Sequence, residues 1–495
     1  MLRLLMSSLL FLLDRPPLVS RSAGKKPTKS FRQRLLRRSC RNKERKGCSS
    51  GGILCLFQSP RRRSSDAFSF TSGDPAVQKG WSSEISAFYD WLKENGVYLS
   101  EKASWTHAPH RLVIAEETKD EGEYSGRGLL SSRSVNLGEK VLEIPEKLMF
   151  TRKLALETFP TSIIASIEDE YVSIGLLLLY EKAKGFDSFF KPYLDILPTL
   201  DELNPLFLWS NKDLDLLQGS PTLSACEQLR DKLLREYTYL GKNIIPQIPN
   251  FASKPIDFEQ FQWAFGILFS RAICFPSSKR IALVPYADLL NHSPFCSAFI
   301  DEEKIPFGNG VTEAVVYVDR LYEPYEQVYV SYGPRSNQEL LLLYGFSLER
   351  NPFDCVEITI GLDKTDPLYL EKCRMLESYG KSPLQSFPLY MDRYPVEMAE
   401  FLRFCCIDTE TDLQADFGTI VSASNEESAL DKLLNYIVDQ LRKYPTSLED
   451  DEKIIRDRAM FQTLEKNQRM AIRQRLGEKR ILHATWRNLQ NSSHL

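Results

Sequence analysis

The order of patterns along this chain predicts an α+β protein. A β-rich domain is interrupted by helices and then followed by an all-helical one. Three observations carry that reading. Short, glycine-punctuated β segments occupy roughly residues 111–150, and a helical pattern runs from about 151 to 273. β character returns over 281–330, and from about 351 the chain is mostly helical to its end. Each change of hydrophobic period, from two to 3.6 and back, marks a change of element type.

The elements follow in order. GWSSEISAFYDWLKENGVY (80–98) predicts an amphipathic helix, with Ser83 as cap and Ile85, Phe88, Trp91 and Leu92 on one face. RLVIAEE is a short strand, and YSGRGLLSSRSVNLGEKVLEIPEKLMF is a set of β segments broken at Gly126-Arg127-Gly128 and Gly138. A Gly-x-Gly there is first of all a turn; alternatively it is a loop whose small residues let a cofactor approach the backbone. Tyr171–Ala183 carries a long apolar face, PYLDILP stops at Pro198, and a further helix spans roughly Leu223–Gly241.

Asp257 and Gln260 form a capping box for FQWAFGILFSRAI, in which Phe258, Phe261, Phe265, Leu268 and Ala272 predict a half-buried helix. Arg271 near its end suits the helix dipole whether or not it does anything else. IALVPYADLL, AVVYVDRLY and EQVYVSY then return to β character. Finally, FPLYMDRYPVEMAEFLRFCCI, ALDKLLNYIVDQLRKY and the charged run Asp450–Leu489 read as helices, the last starting at Thr446-Ser447.

Composition narrows the function classes. At 495 residues, two or three domains are expected, and 43% hydrophobic with 26% charged content is ordinary for a globular protein. Residues 1–70 hold 17 Lys or Arg against 3 Asp or Glu, leaving 46 basic and 63 acidic residues in the body. An acidic body without clustered cations argues against a general nucleic-acid surface. Ten cysteines without a CxxC pair read as free thiols of a reduced compartment, and five scattered histidines leave no expected metal site.

The basic, serine-rich, acid-poor residues 1–70 read as an organellar import segment, with chloroplast ahead of mitochondrion. The apolar run Leu4–Leu13 could instead pass for the core of a secretory signal, but it is too short to span a bilayer.

One stretch, Leu283–Phe346, concentrates the chemistry. LVPYADLLNHS places Asn291 and His292 after an apolar run, and Tyr332, 41 residues beyond Asn291, lies in YVSYG ahead of RSNQELLLLYGF. Taken alone, Tyr332 is a strand tyrosine, His292 a core histidine, and Asn291-His292-Ser293 a glycosylation sequon without a secretory context.

As an ordered set, these motifs resemble the C-terminal half of a SET domain. With WAFGILFSRA and the helical tail, the chain is similar to the plant Rubisco large-subunit lysine methyltransferase family over residues 80–490. The resemblance implies a knotted SET domain at 80–350, split by a helical insertion at about 151–273, and an all-helical substrate-binding domain at 351–495. It also implies an S-adenosyl-L-methionine-dependent protein-lysine N-methyltransferase, in which donor and substrate lysine meet from opposite faces of a channel.

The roles implied are as follows. Ser125, Gly126, Arg127 and Gly128 give close backbone contacts to the cofactor, Arg271 pairs its carboxylate, and Ser270 is a further cofactor-binding residue. Asn291 accepts from its ammonium, the His292 backbone reads the adenine edge, and Phe346 lines the site. Tyr332 orients the amine, Tyr344 walls the channel with Phe346, and Asp288 helps place substrate. A monomer acting on a non-histone protein follows from the same resemblance, with Rubisco large subunit and aldolase as the family's substrates.

There are departures. No zinc-binding CxC follows YGF, which argues against the histone-type enzymes. Ser125 stands where many members carry Glu. Tyr344 favours lysine over the histidine acceptor of the related actin-histidine enzymes. Two alternatives stay open at this point: a protein-histidine methyltransferase, and a non-catalytic SET-derived scaffold in a plastid complex.

Overall fold

The computed structural model of the chain describes residues 81–491 apart from 106, 121, 122 and 306–311. The expected import segment at residues 1–70 lies outside the described residues. Among the described residues no helix is long and apolar enough to cross a membrane.

The first helix, Ser83–Glu94, buries Ile85, Phe88, Trp91 and Leu92 as its periodicity requires. Its cap is Ser82 rather than Ser83, because the Ser82 hydroxyl accepts the Ile85 N–H. Strands β1 (Leu112–Asp120) and β2 (Glu123–Ser131) form an antiparallel hairpin, so the Gly126–Gly128 stretch lies in a strand and not in a free loop. The hairpin register slips between Ala115 and Thr118: Ala115 pairs with Gly128 and Thr118 with Gly126. Glu116 and Glu117 are therefore the extra residues opposite Arg127. A bulge of this kind bends the strand and re-aims its side chains.

Strands β3 (Lys140–Pro145), β4 (Phe150–Thr151), β5 (Ile273–Cys274), β6 (Ile281–Leu283), β7 (Asn291–His292), β8 (Ile300–Lys304), β9 (Thr312–Tyr317) and β10 (Tyr329–Val330) complete the β-rich part. They form small sheets of order β3-β9-β8 and β4-β6-β5, and one parallel pair, β10-β7. That pair sets Tyr329 beside Asn291 and Val330 beside His292, which carries the polar pair and the later tyrosine segment to one place.

Between β4 and β5 the chain is helical, from Arg152–Thr158 to Phe258–Arg271. The capping box at Asp257 and Gln260 forms as expected. The helix it opens is buried on every side from Phe261 to Phe269, not half-buried, apart from Gln262 at its edge. The reason is that helix Glu170–Lys184 packs against it so closely that a Cβ at Gly175 would sit 3.3 Å from Leu268 Cδ1.

Beyond residue 350 the structure is mainly helical, but FPLY is not part of a helix. It lies in strand β12 (Leu384–Tyr390), which pairs antiparallel with β11 (Cys355–Gly361). Pro388 sits inside that run, and a proline that would break a helix is tolerated on a two-stranded edge. Helices Tyr369–Ser378, Val396–Cys405, Ala423–Lys443 and Lys466–Gln490 cover this hairpin with an apolar core of its own, including Ile360, Leu389, Met398, Leu402, Leu433 and Leu482.

Candidate active site

One cavity of about 510 Å³ gathers nearly every site residue expected from the sequence. Ser125, Gly126, Arg127, Ser270, Arg271, Asp288, Asn291, His292, Tyr332, Tyr344 and Phe346 all line it. Gly128 does not line it but backs it. A Cβ there would come within 2.8 Å of Thr118 Cγ2 and 2.9 Å of Asn291 Nδ2, so only glycine lets the hairpin close on Asn291.

Local hydrogen bonds fix the wall. Asn291 donates its amide to Thr118 Oγ1 and to the Arg127 carbonyl, both at 3.2 Å, which turns its acceptor oxygen to other use. The Thr118 hydroxyl also lies 2.8 Å from Ser125 Oγ and donates to the Gly126 carbonyl at 2.8 Å. Ser270 bonds back to the Gly266 carbonyl at 2.7 Å, inside its own helix.

His292 accepts the Tyr332 N–H on Nδ1 at 3.1 Å, so Nε2 carries the proton. Burial pushes the ring's pKa down to about 4 and keeps it neutral. Its Nε2–H is buried without a protein partner among the described residues. A buried polar atom left without a partner beside a cavity is one that a polar ligand there can satisfy.

The aromatic side is a stack. The rings of His292 and Tyr332 lie 5.0 Å apart, and those of Tyr332 and Tyr344 5.1 Å apart. Phe346 meets Tyr344 edge-on at 6.2 Å. The Tyr332 hydroxyl donates to the Leu290 carbonyl at 2.7 Å, which leaves its lone pairs to accept from a substrate amine. Burial raises both tyrosine hydroxyls above their ordinary range, so neither is a phenolate at neutral pH.

Asp288 differs from expectation, and Arg271 does not. Asp288 was expected to help place substrate, yet its side chain is 0% exposed. Oδ2 takes Arg271 Nη1 at 3.1 Å and the Tyr193 hydroxyl at 2.8 Å. Burial pushes the Asp288 carboxyl up, and Arg271 and Tyr193 pull it back. A sealed carboxylate of this kind holds Arg271 rather than substrate. Arg271 keeps Nε and Nη2 free of protein hydrogen bonds among the described residues, consistent with a guanidinium facing a carboxylate ligand.

Sequence reasoning missed several contributors: Glu116 and Glu117 at the bulge, Glu202 to Asn204, and Lys466, Arg469, Met470 and Arg473 of the C-terminal helix line the cavity, and Tyr193 reaches it through Asp288. A bulge gives no pattern in a single strand, and a cation at helical spacing reads as a solvated face. Only PYLDILP offered a signal, a proline-bounded aromatic segment too short to be an ordinary helix.

The residues present fit S-adenosyl-L-methionine: an amide oxygen for an ammonium, a guanidinium for a carboxylate, an orphan donor and a glycine cradle meet in one cavity. Comparison with known proteins agrees. The family described as SET domain matches residues 126–333, and that described as Rubisco LSMT substrate-binding matches residues 363–482. The chloroplastic [fructose-bisphosphate aldolase]-lysine N-methyltransferase of Arabidopsis thaliana is 28% identical, covering 80% of this chain and 81% of its own. The actin-histidine N-methyltransferase of Homo sapiens is 26% identical, over 82% of this chain and 69% of its own. A solved structure of Rubisco LSMT bound to AdoMet superposes with TM-score 0.68 at 25% identity, over 83% of this chain and 92% of that one. The chain belongs to the SET-domain protein methyltransferases that carry a Rubisco LSMT substrate-binding domain.

Proposed function

We propose that the chain is an S-adenosyl-L-methionine-dependent protein-lysine N-methyltransferase acting as a monomer on a non-histone plastid protein. The observation that carries this is the single cavity in which Arg271, Asn291 and His292 meet the stacked Tyr332, Tyr344 and Phe346. Residues 80–350 are taken as the catalytic domain, with the insertion at about 151–273, and residues 351–495 as the substrate-binding domain. Residues 1–70 are taken as its chloroplast import segment, in keeping with the chloroplastic relative.

When bound, S-adenosyl-L-methionine supplies an electrophilic methyl group on a cationic sulfur. The chain's own residues then have four tasks. Arg271, held by Asp288, takes the carboxylate end, and the Asn291 oxygen takes the ammonium. Glycine at 126 and 128 lets the β2 backbone come close, the former at φ +76°. Tyr332 and Tyr344 exclude water around the acceptor, which lowers the lysine pKa from about 10.4 toward a neutral nucleophile. The Tyr332 oxygen orients that amine. With both tyrosines neutral, neither serves as a strong base, and the rate comes from positioning and electrostatics. The amine proton is released to solvent.

The test is methyl-labelled S-adenosyl-L-methionine and the purified full chain in a plastid stromal extract, followed by mass spectrometry. Label on a lysine side chain of a stromal protein is expected. Label on histidine, or no cofactor binding in a calorimeter, overturns the reading. A reporter carrying residues 1–70 should enter chloroplasts, and its secretion would refute the localisation.

A further inference from the structure

Tyr193 belongs to the helical insertion, not to the motifs that define the site, yet it sits 0% exposed with its hydroxyl on Asp288 Oδ2 at 2.8 Å. The same short segment reaches the site twice more. The Ile196 carbonyl accepts Arg127 Nη1 at 2.5 Å, and Pro198, whose carbonyl takes Trp263 Nε1 at 2.8 Å, lines the cavity. One segment of six residues thus bonds to two parts of the lining, Arg127 on β2 and, through Tyr193, the Arg271–Asp288 pair. Phe88 and Phe150 pack on the Tyr193 ring at 6.0 and 6.1 Å, fixing where its hydroxyl points.

We propose that Tyr193 is a positioning residue for donor binding, acting through Asp288 to aim the Arg271 guanidinium into the cavity. This rests on the cavity being the S-adenosyl-L-methionine site. The physical case is one of counting donors. Asp288 Oδ1 is buried with no hydrogen-bond partner among the described residues, so the side chains that stabilise the charge, Arg271 and Tyr193, both do so at Oδ2. A buried carboxylate reduced to one donor protonates more readily. Once neutral it no longer fixes Arg271, and the wall becomes one charge more positive toward a donor of net positive charge. The titratable or charged groups facing Asp288 are Arg271, Tyr193 and Tyr332.

Tyr193→Phe keeps the ring and its packing and removes only the hydroxyl. In the full chain, the KM for S-adenosyl-L-methionine should rise about tenfold at pH 8 and further as pH falls to 6, because the carboxyl that has lost the Tyr193 hydroxyl takes up a proton more readily. The kcat at saturating donor should stay within about twofold. In wild type the KM should change less over the same range. A second arm asks whether the effect runs through Asp288: in an Asp288→Asn background, Tyr193→Phe should add less than twofold. Melting curves accompany both arms. An unchanged KM, or a pH-independent loss shared equally by kcat and KM, overturns the proposal, as does full additivity with Asp288→Asn. If wild type itself fails to bind the donor, the functional reading falls first and this inference with it.

Discussion

Tyr332 presents its hydroxyl oxygen to the cavity while its proton is committed to the Leu290 carbonyl at 2.7 Å. Removing that oxygen leaves the ring stack with His292 and Tyr344 intact and takes away the hydroxyl that bonds to Leu290 and is proposed to orient the amine. Tyr332→Phe is therefore expected to lower kcat about 10²-fold, the usual magnitude for one transition-state hydrogen bond. Cofactor affinity by calorimetry should be nearly unchanged, and unimpaired turnover would remove Tyr332 from the mechanism. Gly128→Ala works in the reverse sense. The added methyl would press on Thr118 Cγ2 and Asn291 Nδ2, costing about 1–3 kcal/mol by overpacking. Because it pushes Asn291 off its partners, it should weaken donor binding at least tenfold, and a variant that binds as tightly as wild type contradicts the cradle. Asn291, Tyr332 and Tyr344 were legible in the sequence because their spacing is a motif. Tyr193 and Thr118 were not, because each acts by touching a motif residue far away along the chain.

Elements are brought together here by close backbone crossings. Residues 340–344 form a wide helical turn closed by Gly345 at φ +80°. A Cβ on Gly345 would fall on the Asn204 carbonyl and lie 2.8 Å from Pro205 N, so the segment after RSNQE passes directly over the insertion backbone. Gly345→Ala must meet both a left-handed φ and a backbone clash that no rotamer relieves. A loss of about 3 kcal/mol or more is expected from denaturant midpoints, together with loss of methyl transfer, since Tyr344 and Phe346 flank the crossing. A wild-type midpoint would show that the two backbones can separate. The succession of β, helical, β and helical stretches was readable from periodicity alone, whereas this crossing was not. Nor were the bulge at Glu116-Glu117 and the pairing of FPLY with Cys355–Gly361, since a bulge, a crossing and an edge pairing are relations between segments rather than patterns within one.

Taken as a whole, the catalytic part and the C-terminal domain share one helix. Lys466–Gln490 brings Lys466, Arg469, Met470 and Arg473 to the cavity at its start, and buries Ile481, Leu482 and Leu489 in the C-terminal core at its end. Between them lies a face that in sequence reads as a solvated charged helix but is buried. Glu478 accepts from Ser220 and Thr222 of the insertion at 2.8 and 2.7 Å, and from Tyr444 at 2.8 Å. Asp451, its side chain 0% exposed, pairs with Arg475 and Lys479, both at 2.8 Å. Charge at helical spacing is the pattern of an exposed face, and only partners distant in sequence reveal otherwise. These ion pairs are consequential because their ions are out of water. Asp451→Asn removes the one anion between two buried cations, a change worth about 3–5 kcal/mol when a partner is left unpaired. That loss should appear in the denaturant midpoint. The helix that Arg475 and Lys479 anchor is also the one that closes the cavity, so donor affinity should fall with it, even in native conditions where most molecules remain folded. A stability loss under 1 kcal/mol, or one with donor binding untouched, would mean that the helix is held by its apolar end alone and that the charged face does not couple the substrate-binding domain to the site.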